Sequence, residues 1–106
     1  MTLEKSNVLD VVAVNLQNNR VEMVIIDSLD WQEELTHLQL LQAKINNYLA
    51  VIENGEIYSV YEHAVGREFD IVVRFLHPFP ESCVPFFIRA QEILLTFGIG
   101  FDYKVG

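Results

Sequence analysis

One long amphipathic helix between Asp30 and Gly55 constrains the fold of this chain more than any other feature. Asp30 and Glu33 have the spacing of a capping box, in which two side chains bond to the backbone of the first turn. Gly55 supplies a left-handed stop. Between these signals the apolar residues recur every three or four positions, at Leu35, Leu38, Leu41, Ile45, Leu49 and Ile52. We therefore predict one helix whose apolar face needs a sheet or a second helix to cover it.

The two apolar runs before this helix predict a β-hairpin. Residues 8–16 and 21–26 are rich in Val and Ile, and they flank a polar segment containing Asn18 and Asn19. Asparagine tolerates the positive φ that tight hairpin turns require. The predicted cross-strand pairs are Leu16 with Val21, Val14 with Met23, and Val12 with Ile25.

The same register places Asp10 opposite Asp27. Two facing carboxylates can share a proton or hold a cation. The alternative is that both lie at the open end of the hairpin, where each reaches water or caps the following turn.

The rest of the chain predicts a short helix, a strand, a helix and a strand. Residues 56–64 favour the short helix, although 57–61 would also serve as a strand. The alternation in 68–77 predicts a strand that Pro78 and Pro80 end. Ser82 then caps a helix that runs to about Phe97 and stops at Gly98, and residues 99–104 alternate as a last strand.

These elements predict an α+β two-layer sandwich in ββαβαβ order. Its four-stranded sheet carries two main helices on one face, with an antiparallel hairpin and a right-handed β-α-β return. The 106 residues form a single domain, with ordered structure expected from about Asn7 and residues 1–6 outside it.

Charge and composition limit the classes of partner and the location that we expect for this chain. The net charge is -8 and the seven basic residues are scattered, so nucleic acid is excluded as the expected partner and a basic protein is the one that charge would attract. The alternative is that the charge serves solubility alone. No apolar run approaches the length that spans a bilayer, so we expect no membrane insertion. The single Cys83 and an N-terminus without an apolar core predict a cytoplasmic protein.

The second long helix has more apolar residues than one buried stripe requires. We predict that the excess forms a homodimer interface. The alternative is a helix that lies deep between the sheet and the first helix. The interface candidates are Val84, Phe86, Phe87, Ile88 and Leu95.

Candidate chemistry is sparse. Cys83 and His77 could form a nucleophile and base, but the apolar surroundings and Glu81 favour a buried, inert thiol. The three histidines lack metal-ligand spacing, so we predict no metal, no cofactor and no catalytic residue. Trp31, Tyr58 and Tyr61 could line a ligand groove, and the alternative for Trp31 is a staple on the first helical turn.

Several short strings resemble a family of uncharacterised bacterial domains of about this length. They are the V-L-D-V-V string that begins at Val8, L-Q-x-x-Q-x-K-x-N-x-Y from Leu38 to Tyr48 after Trp31, Gly66-Arg67, and G-I-x-F from Gly98 to Phe101. The resemblance covers nearly the whole chain and implies a domain of unknown function, with no catalytic residues to carry over.

The sequence therefore favours a non-enzymatic protein-interaction module that forms homodimers. One alternative is an immunity-type protein that neutralises a basic toxin. Another is a ligand-binding domain or enzyme with a groove near Trp31.

Overall fold

Seven helices and strands make up the fold of the computed structural model, which describes Leu3 and residues 9–106. They are β1 (Val11–Asn15), β2 (Arg20–Asp27), α1 (Glu34–Glu53), α2 (Ile57–Val60), β3 (Phe69–Phe75), α3 (Val84–Leu95) and β4 (Gly100–Val105). Single 3₁₀ turns cover Glu62–Ala64 and Glu81–Cys83. The predicted α+β class and element order are confirmed, and α2 is the short helix expected in 56–64. The predictions for Val8 and for most of residues 1–6 lie outside the described residues. Leu3 is described and is fully buried.

The strands form one mixed sheet in the order β1-β2-β3-β4. β1 pairs with β2 antiparallel, whereas β2 with β3 and β3 with β4 are parallel. Alternate residues of β2, from Val21 to Asp27, are buried and the residues between them are half-buried. This alternation is typical of a sheet with one face on the core. The core lies between that face and the helices, which contribute Leu41, Ile45, Phe87 and Leu94.

The hairpin register differs by two residues from the predicted one. Val14 pairs with Val21 and Val12 with Met23. Asn15 ends β1, because its carbonyl accepts a hydrogen bond from the Asn19 backbone N–H at 2.8 Å and Asn19 adopts a φ of 62°. A shift of two residues keeps the paired strand residues on their predicted faces, while the predicted pairs, including Asp10 with Asp27, are wrong. Leu16, predicted to pair with Val21, lies in the loop and is 89% exposed.

The predicted capping box does not form at the start of α1. Glu33 is the N-cap without a side-chain hydrogen bond, and Asp30 Oδ1 instead accepts the Gln32 backbone N–H at 3.2 Å. Ser82 does not cap the helix after it either, since its hydroxyl donates to Glu34 Oε2 at 2.9 Å. Gly55 adopts positive φ after α1, as predicted, and Gly98 does so after α3, which ends at Leu95.

The buried face of α1 is rotated from the predicted stripe. Leu35 is 71% exposed, and polar residues enter the core beside leucine and isoleucine. The buried residues of α1 are His37, Leu41, Lys44, Ile45, Tyr48, Val51 and Ile52.

Candidate functional site

A buried acid and base meet where β2 ends. Asp27 and His37 are both buried, and His37 Nε2 lies 2.5 Å from Asp27 Oδ2. His37 Nδ1 lies 2.9 Å from the Asp30 carbonyl oxygen, which can only accept, so Nδ1 carries a proton. One further proton is therefore shared between Nε2 and the carboxylate. Burial raises the pKa of Asp27, and the hydrogen bond from His37 opposes that rise.

Trp31 packs over the Asp27–His37 pair. Its ring stacks on His37 with centroids 3.6 Å apart and planes 15° apart, and its Nε1–H donates to the His77 carbonyl oxygen at 3.3 Å. Both imidazole nitrogens are occupied, so His37 has no lone pair to offer a substrate or a metal. The pair holds the start of α1 against the sheet.

A cavity of about 250 Å³ lies beside this pair. Its lining residues are Leu29, Asp30, Gln32, Glu33, Thr36, His37 and Leu40. The His37 nitrogens are already bonded, so the polar side chains that this cavity offers are Asp30, Gln32, Glu33 and Thr36.

A second buried ion pair anchors α1 about two turns further along. Lys44 Nζ donates to Asp10 Oδ1 at 2.9 Å, and both side chains are inside the protein. Asp10 Oδ2 also accepts the Ile26 backbone N–H at 3.0 Å. Tyr48 completes the cluster, because its hydroxyl accepts the Asp10 backbone N–H at 2.8 Å and donates to the Val24 carbonyl oxygen at 3.2 Å.

Asp10 and Asp27 therefore do not form the predicted carboxylate pair. Each carboxylate bonds a different residue of α1, Lys44 for Asp10 and His37 for Asp27. The physical reason is the corrected hairpin register, which no longer sets the two residues opposite each other.

The predicted aromatic groove is wrong because its members lie at opposite ends of β3. Trp31 contacts Phe75 at the end of that strand, with ring centroids 5.7 Å apart. Tyr58 contacts Phe69 at its start, at 6.1 Å. Six residues of strand separate these contacts by about 20 Å. Tyr61 packs edge-on against His63, so the three rings do not line one groove.

Cys83 is buried and its thiol is poorly disposed to react. Burial raises the pKa of Cys83 to about 11, and the charge and hydrogen bond of Glu34 add to the rise. His77 is exposed, and its backbone carbonyl serves Trp31.

The candidate interface residues of α3 divide into two groups. Phe87 is fully buried and packs on Phe75 and Tyr103, so it belongs to the core of a single chain and is wrong as a surface candidate. Val84 and Phe86 are half-buried. Ile88 and Leu95 are 50% and 69% exposed.

Two adjoining depressions between α1 and α3 share Gln42 and Phe86, and together they form what we call the helix groove. The wider part has a volume of about 340 Å³ and the narrower part about 70 Å³. The wider part is lined by Leu35, Leu38, Gln39, Gln42 and Phe86. The narrower part is lined by Gln42, Ile45, Asn46, Leu49, Phe86, Arg89, Ala90, Ile93 and Leu94. Arg89 is the one charged residue in these linings.

His37, Lys44 and Tyr48 were missed because only apolar residues were used to define the face of α1. The signal is present in the sequence: His37, Leu41, Lys44, Tyr48 and Val51 recur at spacings of four and three. Polar residues that continue such a period are candidates for buried, bonded groups.

The buried polar side chains in the described part of the chain are all hydrogen-bonded. No buried side-chain nitrogen or oxygen there lacks a hydrogen-bond partner. Among Leu3 and residues 9–106, no three His, Cys, Asp or Glu side chains gather as metal ligands. None of the helices in those residues is both long and apolar enough to cross a membrane.

The family model of DUF6572, a family of unknown function, matches residues 1–106. The chain belongs to this family. No curated protein and no solved structure matches it. The predicted resemblance to a domain of unknown function is thus confirmed, and for this DUF6572 chain any function has to be argued from the site itself.

Proposed function

We propose that this DUF6572 chain is a non-enzymatic protein-interaction module that binds its partner at the helix groove. The observation that supports this most is the placement of exposed apolar side chains along a groove between two rigid helices. Leu35 is 71% exposed at the wider part, and Phe86 and Ile93 continue the apolar surface. Contiguous apolar surface of this kind is typical of contact sites.

The buried polar groups support an anchoring role rather than catalysis. His37 has both nitrogens bonded, Lys44 is bonded to Asp10, and Cys83 has a raised pKa. A general base or a nucleophile needs a free lone pair and a pKa near the working pH. His37 and Lys44 are thus engaged in holding the fold, and the Cys83 thiol is poorly disposed to react.

The charge of the helix groove argues against a basic toxin as the partner there. An immunity-type protein binds its toxin through acidic groups that complement basic ones. The groove instead presents amides, apolar groups and the positive Arg89. We also propose a cytoplasmic location, because Cys83 is a free thiol and the cytoplasm keeps thiols reduced.

Protection of an engineered thiol in cell extract tests the proposal. Gln42→Cys places a thiol in the helix groove, and His63→Cys places one at an exposed site outside it. Native Cys83 gives little background because it is buried and its pKa is raised. We expect a maleimide to label position 42 much more slowly in cell extract than in dilute purified protein, with position 63 labelled equally in both.

Desalting the extract separates the remaining hypotheses. Protection by a protein survives the removal of small molecules, whereas protection by a metabolite is lost. Equal labelling of positions 42 and 63 in extract would refute the interaction module, and loss of protection after desalting would favour the ligand-binding alternative.

A further inference from the structure

We infer that the partner at the helix groove is a second copy of this chain. This inference rests on the proposed function and names its partner. The contact surface is the outer side of α1 together with the helix groove, and its central residue is Gln42, which lines both parts of the groove.

Charge is the first argument. The chain carries a net charge of -8, yet between Glu34 and Glu53 α1 has no Asp, Glu or Arg, and its one Lys, Lys44, is buried and bonded to Asp10. Two copies of so acidic a chain repel each other over most of their surfaces. Close approach is least opposed where acidic side chains are absent, and the outer side of α1 is such a surface.

Self-complementarity is the second argument. A two-fold dimer sets the same patch against itself, so each group has to tolerate its own copy. Carboxylates or ammonium groups would oppose like charges, whereas an amide has both donors and an acceptor and can bond its own kind. The exposed polar residues beside the groove are Gln39, Gln42 and Asn46, and Gln42 already donates to Asn46 at 2.9 Å.

Apolar area is the third argument. Leu35, Phe86 and Ile93 provide the area whose burial favours association. Arg89 is the one charged residue in the groove linings, and its positive charge disfavours a basic protein as the partner there.

Sedimentation equilibrium over a range of concentrations tests the inference directly. We expect the mass of two chains for the wild type at micromolar concentration, and dissociation on dilution. Gln42→Glu changes one amide to a carboxylate of the same shape and, by symmetry, places like charges near each other. It should weaken the dimer at least about tenfold.

Gln17→Glu is the matched control, since Gln17 is exposed in the hairpin loop and the change in net charge is identical. It should change the dimer dissociation constant by less than about twofold. Leu35→Ala is a second variant, which weakens the dimer without adding charge. Thermal unfolding of each variant at low concentration checks that the fold is kept.

Two results would overturn the inference. One is a single-chain mass up to the solubility limit, and the other is a dimer that Gln42→Glu and Leu35→Ala leave unchanged. If position 42 is still protected in desalted extract while the purified chain stays monomeric, the partner is not a second copy but the interaction module stands. If the purified chain is monomeric and no protection is seen in extract, both the homodimer and the interaction module are refuted.

Discussion

The carboxylate of Asp70 occupies the space in which a side chain at Gly100 would stand, because a Cβ built on Gly100 would overlap Asp70 Oδ1. That carboxylate accepts hydrogen bonds from Arg20, whose Nε lies 2.9 Å from each oxygen. Arg20 also donates to the Phe69 carbonyl oxygen at 3.0 Å. The glycine at the start of β4 thus leaves room for the ion pair that joins the starts of β2 and β3.

Gly100→Ala should therefore destabilise the protein by about 1–3 kcal/mol, since the new methyl group displaces Asp70 from Arg20. The measurement is the free energy of unfolding in urea. In an Asp70→Ala background the overlapping atoms are gone, so the same substitution should cost much less. Equal costs in the two backgrounds would show that the overlap is not the cause.

Substitutions at Asp27 should separate its charge from its hydrogen bond. Asp27→Ala leaves His37 Nε2 buried without a partner and should cost about 3 kcal/mol. Asp27→Asn should cost less than half as much, because its amide can donate to Nε2 while Nδ1 keeps its bond to the Asp30 carbonyl. Urea unfolding at neutral pH measures both, and equal costs would contradict the hydrogen-bond account.

The difference in stability between the wild type and Asp27→Asn should change with pH in one direction. Burial raises the pKa of Asp27 in the folded protein above its unfolded value. Such a group contributes stability that is fully present below the unfolded pKa and is lost as pH rises through the folded pKa. The free energy of unfolding of the wild type should therefore rise relative to that of Asp27→Asn as the pH is lowered from neutral towards about 4. A difference that stays constant over this range would argue against the raised pKa.

Local patterns predicted the elements better than the contacts between them. The strands, the helices and the stops at Gly55 and Gly98 follow from periodicity and backbone preference, and the structure has them. The predicted hairpin register is wrong because the loop begins directly after Asn15, a position that the Asn18-Asn19 pair did not indicate. The error of two residues preserved the sheet faces and changed the pairs.

The candidate site was less accessible to sequence reasoning for a physical reason. Lys44 and His37 lie in the core, where Asp10 and Asp27, distant in sequence, bond to them. Apolar periodicity does not encode such long-range pairing. Of the predicted interface residues on α3, Ile88 and Leu95 are exposed in the single chain, whereas Phe87 fills the core.

The hydroxyl of Tyr48 should stabilise the fold at neutral pH and less so in alkali. Tyr48→Phe removes the acceptor for the Asp10 N–H and the donor to the Val24 carbonyl, at a cost of about 1–3 kcal/mol. Burial raises the pKa of Tyr48 in the folded state, so its contribution is present below the unfolded pKa near 10.0 and is lost as pH rises above it. Urea unfolding of both proteins should show the gap narrowing above about pH 10. A gap that widens in alkali would contradict this.

Cys83 should resist alkylation in the native protein. Burial and then the Glu34 carboxylate raise the pKa of its thiol to about 11, so at pH 8 only about one thiol in a thousand is the reactive thiolate. Iodoacetamide labelling followed by mass spectrometry should be slow in buffer and fast in denaturant. Glu34→Gln should speed native labelling, because it removes a negative charge beside the sulfur. Glu81→Gln is the matched control: Glu81 lies two residues from Cys83 in sequence but is not among the groups that raise its pKa. Equal acceleration by both variants would mean that Glu34 has no specific effect on the thiol.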